Sequence, residues 1–326
     1  KFDDYVSKGG HDYRPDLRLA IFKFFNQHLK NENPKIMDAD FPKIEGKDLR
    51  VFPEDKDLPK DAINSKVDET FVPTAKITLP AEPKGFAGWK LETIKQLREK
   101  CFRALPEKVP EAKIDSIPEL KTLGSVTEPG IVIDPAILSV RPKRKAQDGL
   151  TWIILNTDED HHDAFAAWKK RYPDSDFLGG FTRGGGPYRW PRKNPPNTVE
   201  RSLALVGQTA DSGRVRDVAA MLSKDRVSYT KQRLVARGQA SIIAAYAALF
   251  VPGAVDEVVI ADPPLSHRDG PHFLNVLRVL DIPEALGLLA PGVKLTLVGK
   301  NAKDKAFDRT AAIYKAAGVA EKFKRE

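Results

Sequence analysis

Cysteine is nearly absent. Cys101 is the one cysteine in 326 residues, so no disulfide framework can be built, and no Cys/His spacing suits a structural zinc. No apolar run approaches the roughly 20 residues that cross a membrane. Gly184-Gly185-Gly186 has no Gly-Lys-Ser/Thr after it and is not a phosphate-binding loop, but a tight turn where backbone approaches something closely. Internal repeats and low-complexity tracts are missing, and the composition excludes collagen, coiled coil and wholesale disorder. Lys1 opens the chain and no charged, apolar and small-residue leader follows, so the expectation is a chain that begins inside a larger protein.

What is present describes a large folded chain. With 41% hydrophobic and 30% charged residues, a chain of this length buries most of the apolar surface it would otherwise expose. The formal net charge is +8, yet 53 Lys and Arg are interspersed with 45 Asp and Glu along the whole length. The densest basic run, Arg141-Pro142-Lys143-Arg144-Lys145, reads as a surface turn. Nucleic-acid binding gathers its basic residues on one face, often with aromatics for stacking, and no such partner is expected here.

Three textures follow one another. In residues 1–30 an extended Phe2–Val6 and a turn at Gly9-Gly10-His11-Asp12 precede a helix, with Leu17, Ala20, Ile21, Phe24, Phe25 and Leu29 on one apolar face. Residues 31–82 carry repeated prolines and alternating charges and read as an extended connector, followed by a helix over about Ala87–Ala104. From residue 116 strand-like runs at Ile131–Val140, Thr151–Asn156, Phe177–Phe181, Gln232–Ala236, Glu257–Ala261 and Lys294–Val298 alternate with helical patterns. The helical patterns fall at His162–Arg171, Arg214–Leu222, Ala240–Phe250, Leu274–Leu289 and Asp308–Ala317. Short β-branched strands between helices predict an α/β fold, a mostly parallel sheet flanked by helices. The domain boundaries expected on this basis are 1–30, 31–115 and 116–326.

Ligands of such sheets bind beyond the carboxyl ends of the strands, so the strand-end loops supply the candidate pocket. These loops offer Asp158 and His161, Arg183, Arg237 with Gly238 and Gln239, and Asp262 with His267. Asp158-Glu159-Asp160-His161-His162-Asp163 lacks the i, i+4 histidine spacing that aims two rings at one metal, and reads as a polar loop before a helix N-terminus. Arg183 and Arg237 suit an acidic or sugar-acid ligand through forked hydrogen bonds, or an ordinary salt bridge to a neighbouring acid. Asp262 and His267 offer an acid–base pair for a bound water, or a structural loop fixed by Pro263 and Pro264. The most telling stretch is Ala236-Arg237-Gly238-Gln239-Ala240. Strand, sharp turn and helix in the order small-x-nucleophile-x-small is a nucleophile elbow, but glycine stands where the nucleophile belongs. Ser241, three residues on, falls inside the helix.

Gly9-Gly10-His11-Asp12-Tyr13-Arg14-Pro15-Asp16-Leu17-Arg18 and the helix ending in Phe24-Phe25-Asn26-Gln27-His28-Leu29 resemble the C-terminal end of α/β-hydrolases, in the acetyl xylan esterase-like and prolyl-oligopeptidase-like bacterial branch. The resemblance implies that His11 is the triad base of an upstream hydrolase domain or chain acting on carbohydrate esters, with no cofactor, in a secreted or periplasmic setting. Residues 116–326 resemble a second, degenerate hydrolase-like domain through Asn194–Ser202, Asp262–Gly270 and Phe273–Leu289. It departs from the working pattern at Gly238 and at Lys322–Glu326, where a last strand and its histidine should follow. Asp304 or Asp308 stands where the family places its acid. Two further arrangements are expected alternatives. In one, this domain binds or scaffolds a carbohydrate or acidic ligand without catalysis. In the other, residues 1–30 supply the missing edge strand of the second sheet and bring His11 over Gly238.

Overall fold

The computed structural model describes residues 2–40, 42–71, 73–80, 82–117, 122–133, 149–190, 198–223, 229 and 231–326. The chain divides into two compact units, Lys1–Val67 and Asp68–Glu326.

In the first unit Phe2–Val6 enters no sheet, and the turn at Gly9–Asp12 leads into helix α1, Pro15–Phe25. Pro15 at its first turn lacks only an N–H that the helix would leave unpaired anyway. Asp16 complements the N-terminal dipole and accepts hydrogen bonds from Ser7 and Tyr5. A π-helical turn, Asn26–Lys30, extends the helix to Asn31, which has left-handed backbone. No residue of α1 is buried within this unit. Residues 31–40 and 42–66 are largely irregular, with short 3₁₀ turns at Gly46–Leu49 and Asp55–Asp57.

The second unit is built on a six-stranded, all-parallel sheet. Its strands are β4 (Leu150–Leu155), β5 (Asp176–Phe181), β6 (Gln232–Arg237), β7 (Glu257–Ala261), β8 (Lys294–Val298) and β9 (Phe323–Arg325), after an antiparallel meander of β1 (Lys113–Ile117), β2 (Thr122–Glu128) and β3 (Ile131–Ile133). The spatial order is β5-β4-β6-β7-β8-β9. In register, Val235 lies beside Ile153 and Val259, and Val259 beside Thr296.

Side chains alternate between two hydrophobic layers, as the period of two requires. Ile154, Leu234, Ala236, Val258, Ile260, Leu295 and Leu297 join the larger cluster, while Ile153, Leu155, Val235, Val259 and Ala261 join the other. The larger layer packs against α5 (Ala210–Leu222), α6 (Gly238–Phe250), α7 (Ile282–Gly287) and α8 (Asp308–Ala316); the smaller packs against α3 (His161–Arg171) through Ala164, Phe165 and Trp168. Helix α6 is buried from Ala240 to Phe250, which explains why its sequence is apolar all round. Helix α4 spans Thr198–Leu205.

The contacts divide the chain after Val67, and helix α2 (Pro83–Lys100), expected at about Ala87–Ala104, packs into the α/β unit, where Phe86 and Leu97 are buried with Cys101 and Phe102. Other expectations need correction. Leu274–Leu289 is not one helix. A 3₁₀ turn at Val276–Arg278 is separated from α7 by Asp281, whose carboxylate caps the new helix and forms a reciprocal capping box with Glu284, and Pro283 sits in the first turn, where its missing N–H is harmless. The last strand is present, since Phe323–Arg325 pairs parallel with β8. That edge position is therefore filled by the unit's own chain. The basic run 141–145 and residues 134–140 of the expected strand Ile131–Val140 lie outside the described residues, as do residues 194–197 of the stretch Asn194–Ser202.

Candidate functional site

The buried run Leu234-Val235-Ala236 carries β6 through the middle of the sheet, and Arg237 emerges exposed at its carboxyl end. Gly238 then turns the chain into α6 with φ +55°. This is left-handed backbone, which glycine adopts without the steric cost that a Cβ carries. A Cβ added there would meet nothing closer than the Asn156 side-chain amide, at 3.8 Å. The turn thus keeps open room for a side chain that the residue does not have.

Asn156, at the end of β4, holds the turn from the neighbouring strand. Its Nδ2 donates to the Arg237 carbonyl at 2.9 Å, and its Oδ1 accepts the Ala240 N–H at 3.0 Å. Glu159 Oε2 accepts both the Asn156 N–H and Nδ2, which fixes the amide's orientation. Ser241 is buried and donates to the Gly238 carbonyl at 2.5 Å. It is a helix hydroxyl pointing back along its own turn.

Arg237, 60% exposed at its side chain, has its Nε 4.0 Å from Asp262 Oδ2. Asp262 has positive φ (46°), and its Oδ1 accepts the Lys300 N–H at 3.1 Å. A Cβ on Gly299 would lie 2.2 Å from that oxygen, so the turn after β8 is shaped around the carboxylate. Gln239 Nε2 donates to the Asp269 carbonyl at 3.0 Å. Arg237, Gly238, Gln239 and Asp262 therefore come together at the carboxyl end of the sheet.

The other candidates do not join them. Arg183 is 7% exposed and belongs to an internal bolt: Nε and Nη2 donate to Asp217 at 3.0 and 2.7 Å, and Nη1 donates to Glu128 at 2.5 Å. Asp217 is fully buried and also accepts the Arg183 N–H and the Thr127 hydroxyl, so the arginine ties β2 to α5 rather than facing a ligand. His267, 3% exposed, lies in an aromatic cluster with Tyr246 and Phe273. Its Nδ1 is 2.8 Å from the Pro271 carbonyl and its Nε2 is 2.9 Å from Tyr246 Oη. It is not an acid–base partner of Asp262.

Asp158 is exposed in the turn before α3. His161 begins α3 and stacks on His162 with ring centroids 3.9 Å apart. Asp160 caps this helix, and the N–H groups of Asp163 and His162 hold its carboxyl below the usual range. Among the described residues no three His, Cys, Asp or Glu side chains are grouped to hold a metal ion. Of the acids after β8, Asp304 caps a 3₁₀ turn and Asp308 pairs with Arg325. His11 is exposed in the first unit, on the bend before Arg14, which bonds Ser7 and the Lys8 carbonyl and pairs with Asp12.

No family model and no curated protein matches this chain. A solved structure does: a putative acetyl xylan esterase from Bacteroides fragilis, with a TM-score of 0.56 and 13% identity, covering 79% of this chain and 80% of its own. The chain has an α/β-hydrolase fold. Acetyl xylan esterase 1 from Thermoanaerobacterium sp. (14% identity, 76% and 87% covered, TM-score 0.41) and an acetyl xylan esterase from Paenibacillus sp. R4 (12%, 78% and 89%, 0.42) are further structures to which it is similar. In an α/β-hydrolase the strand-to-helix turn presents a nucleophile. In this chain the corresponding strand-to-helix turn has left-handed backbone at Gly238 and is braced by the Asn156 amide. Two residues had no signal in the sequence: Asn156, 81 residues from the Arg237 carbonyl it holds, and Asp217, the counter-ion that takes Arg183 out of the site.

Proposed function

We propose that Asp68–Glu326 is a non-catalytic α/β-hydrolase-fold domain of a carbohydrate-ester hydrolase, and that residues 1–30 complete an upstream hydrolase unit to which His11 gives the general base. The observation that carries the reading is Gly238. The elbow that would aim a serine has no side chain atom to form an acyl intermediate, and the nearest serine, Ser241, is buried and bonded to its own helix. The role of the first unit is supported by α1 and the π-helical turn after it, whose Phe22, Phe25 and Leu29 are exposed with no core of their own to cover them. In this reading His11 takes the proton of an upstream serine as it attacks the ester carbonyl, and returns it to the leaving alcohol; an upstream acid orients the imidazole. No cofactor enters this chemistry.

A second reading is favoured by Arg237. Its guanidinium is mostly exposed beside the open elbow, at the long limit of ion pairing with Asp262. An acidic or carbohydrate ligand held there makes the domain a binding module. Arg183 contributes nothing to it.

A fluorophosphonate probe tests the main reading. The 326-residue chain should remain unlabelled, and the full-length gene product should label upstream of His11 and lose hydrolysis of p-nitrophenyl acetate on His11→Ala. Stoichiometric labelling at Ser241, or full activity in His11→Ala, overturns it.

A further inference from the structure

The segment from Asp262 to His272 runs from the end of β7 across the start of α6. It touches the elbow through the Arg237–Asp262 ion pair at 4.0 Å, through one hydrogen bond, Gln239 Nε2 to the Asp269 carbonyl at 3.0 Å, and through Gly270, where an added Cβ would lie 2.8 Å from Gln239 Nε2. The side chain at its centre that turns inward is His267.

The partners of His267 specify its tautomer. The Pro271 carbonyl only accepts, so Nδ1 carries the proton; Nε2 is then an acceptor, and the Tyr246 hydroxyl donates to it with Oη 2.9 Å away. Tyr246 is buried in α6, with Phe102, Phe250 and Phe273 around its ring. A proton on Nε2 would set an N–H against the tyrosine O–H and place a charge in this aromatic cluster. The hydroxyl would have to turn away, leaving its own proton without an acceptor.

The charged groups around the ring come from three elements. Asp281, the N-cap of α7, accepts the His267 N–H at 2.7 Å and the Ser266 hydroxyl at 2.7 Å. His272 is on the same segment, and Asp211 of α5 accepts its N–H at 2.7 Å. Burial holds the imidazole below the ordinary histidine value of 6.5, opposed by the Pro271 carbonyl and the Asp281 carboxylate.

We propose that His267 is an acid-released pin: neutral, it clamps His267–Pro271 over Gln239 at the mouth of the elbow, and protonated, it lets this segment swing away while Asp281 keeps hold of its start. Release breaks the Gln239–Asp269 hydrogen bond at the first turn of α6. The device does not depend on whether the elbow binds a ligand.

Hydrogen exchange of the 326-residue chain, corrected for intrinsic rates, tests it at pH 7 and pH 5. Exchange in 262–273 should rise by up to about tenfold per pH unit below 6.5, while β7 stays protected. His267→Gln keeps one donor and one acceptor without titrating, and should hold the segment closed at both pH values. Nitrogen NMR of the wild-type ring, which needs no variant to fold, should show Nδ1 protonated and Nε2 bare at pH 7. Equal exchange at the two pH values, loss of protection in β7 along with the segment, an acid response retained in His267→Gln, or a proton on Nε2 at pH 7 would each overturn the proposal.

Discussion

The side chain of Asn156 spans both sides of the turn at Gly238, donating to the Arg237 carbonyl at 2.9 Å and accepting the Ala240 N–H at 3.0 Å. One residue at the end of β4 thus ties the last residue of β6 to the first turn of α6. Asn156→Ala leaves both backbone groups to water and frees the Glu159 carboxylate. It should cost about 1–3 kcal/mol in denaturant unfolding, with the new exchange concentrated at residues 237–241.

The open space at Gly238 makes a sterically simple prediction. Gly238→Ser should fold, losing about 1 kcal/mol for placing a Cβ at left-handed backbone. It should still fail to label with a fluorophosphonate, because His267 on the adjoining segment is committed to Tyr246 and Pro271. Labelling of this variant would reveal a base at the elbow.

Arg183 and Asp217 should prove to be a stability pair. Removing Arg183 strands the buried Asp217 carboxylate, and removing Asp217 leaves Arg183 with Glu128 alone; the first should cost about 3–5 kcal/mol and the second less, and the double variant Arg183→Met/Asp217→Leu should recover much of the loss. A thermal-unfolding double-mutant cycle measures the coupling.

Lys90 of α2 donates to the Ala290 carbonyl at 2.7 Å, and burial pushes its ammonium down to about 8 from 10.5. The folded value is the lower one, so between pH 8 and 10.5 the unfolded chain binds the extra proton and stability rises with pH through that window. Lys90→Met should be more stable at pH 7 and should flatten the rise, read from urea midpoints across the range.

Cys101 is buried, and this pushes its thiol up to about 12. A thiol-reactive chromophore should therefore titrate no cysteine in the native chain at pH 8 and one in urea. Prompt native reaction would mean that the junction of α2 with the sheet opens readily.

The parallel sheet was legible because its strands are buried on both faces and read as continuous apolar runs such as Leu234-Val235-Ala236 and Val258-Val259-Ile260. The elbow was legible because strand, small residue and helix are consecutive in the chain. Helix 274–289 misread because its apolar spacing is that of a helix, while the Asp281 cap and Pro283 impose a fresh start that periodicity does not register. The same blindness affected Arg183 and His267. Both stand in strand-end loops, where polar residues reach for ligands, and both turn inward to partners 34 and 21 residues away.

The sequence by itself determined the fold class and the strand–glycine–helix turn at Gly238, since each depends on neighbours along the chain. Tertiary structure decided which polar residues face outward. Burial makes an unpaired charge or donor expensive, so Arg183 and His267 are spent on Asp217 and Tyr246, while Arg237 is left at the rim. That choice is made by contacts between distant segments, and no local pattern carries it.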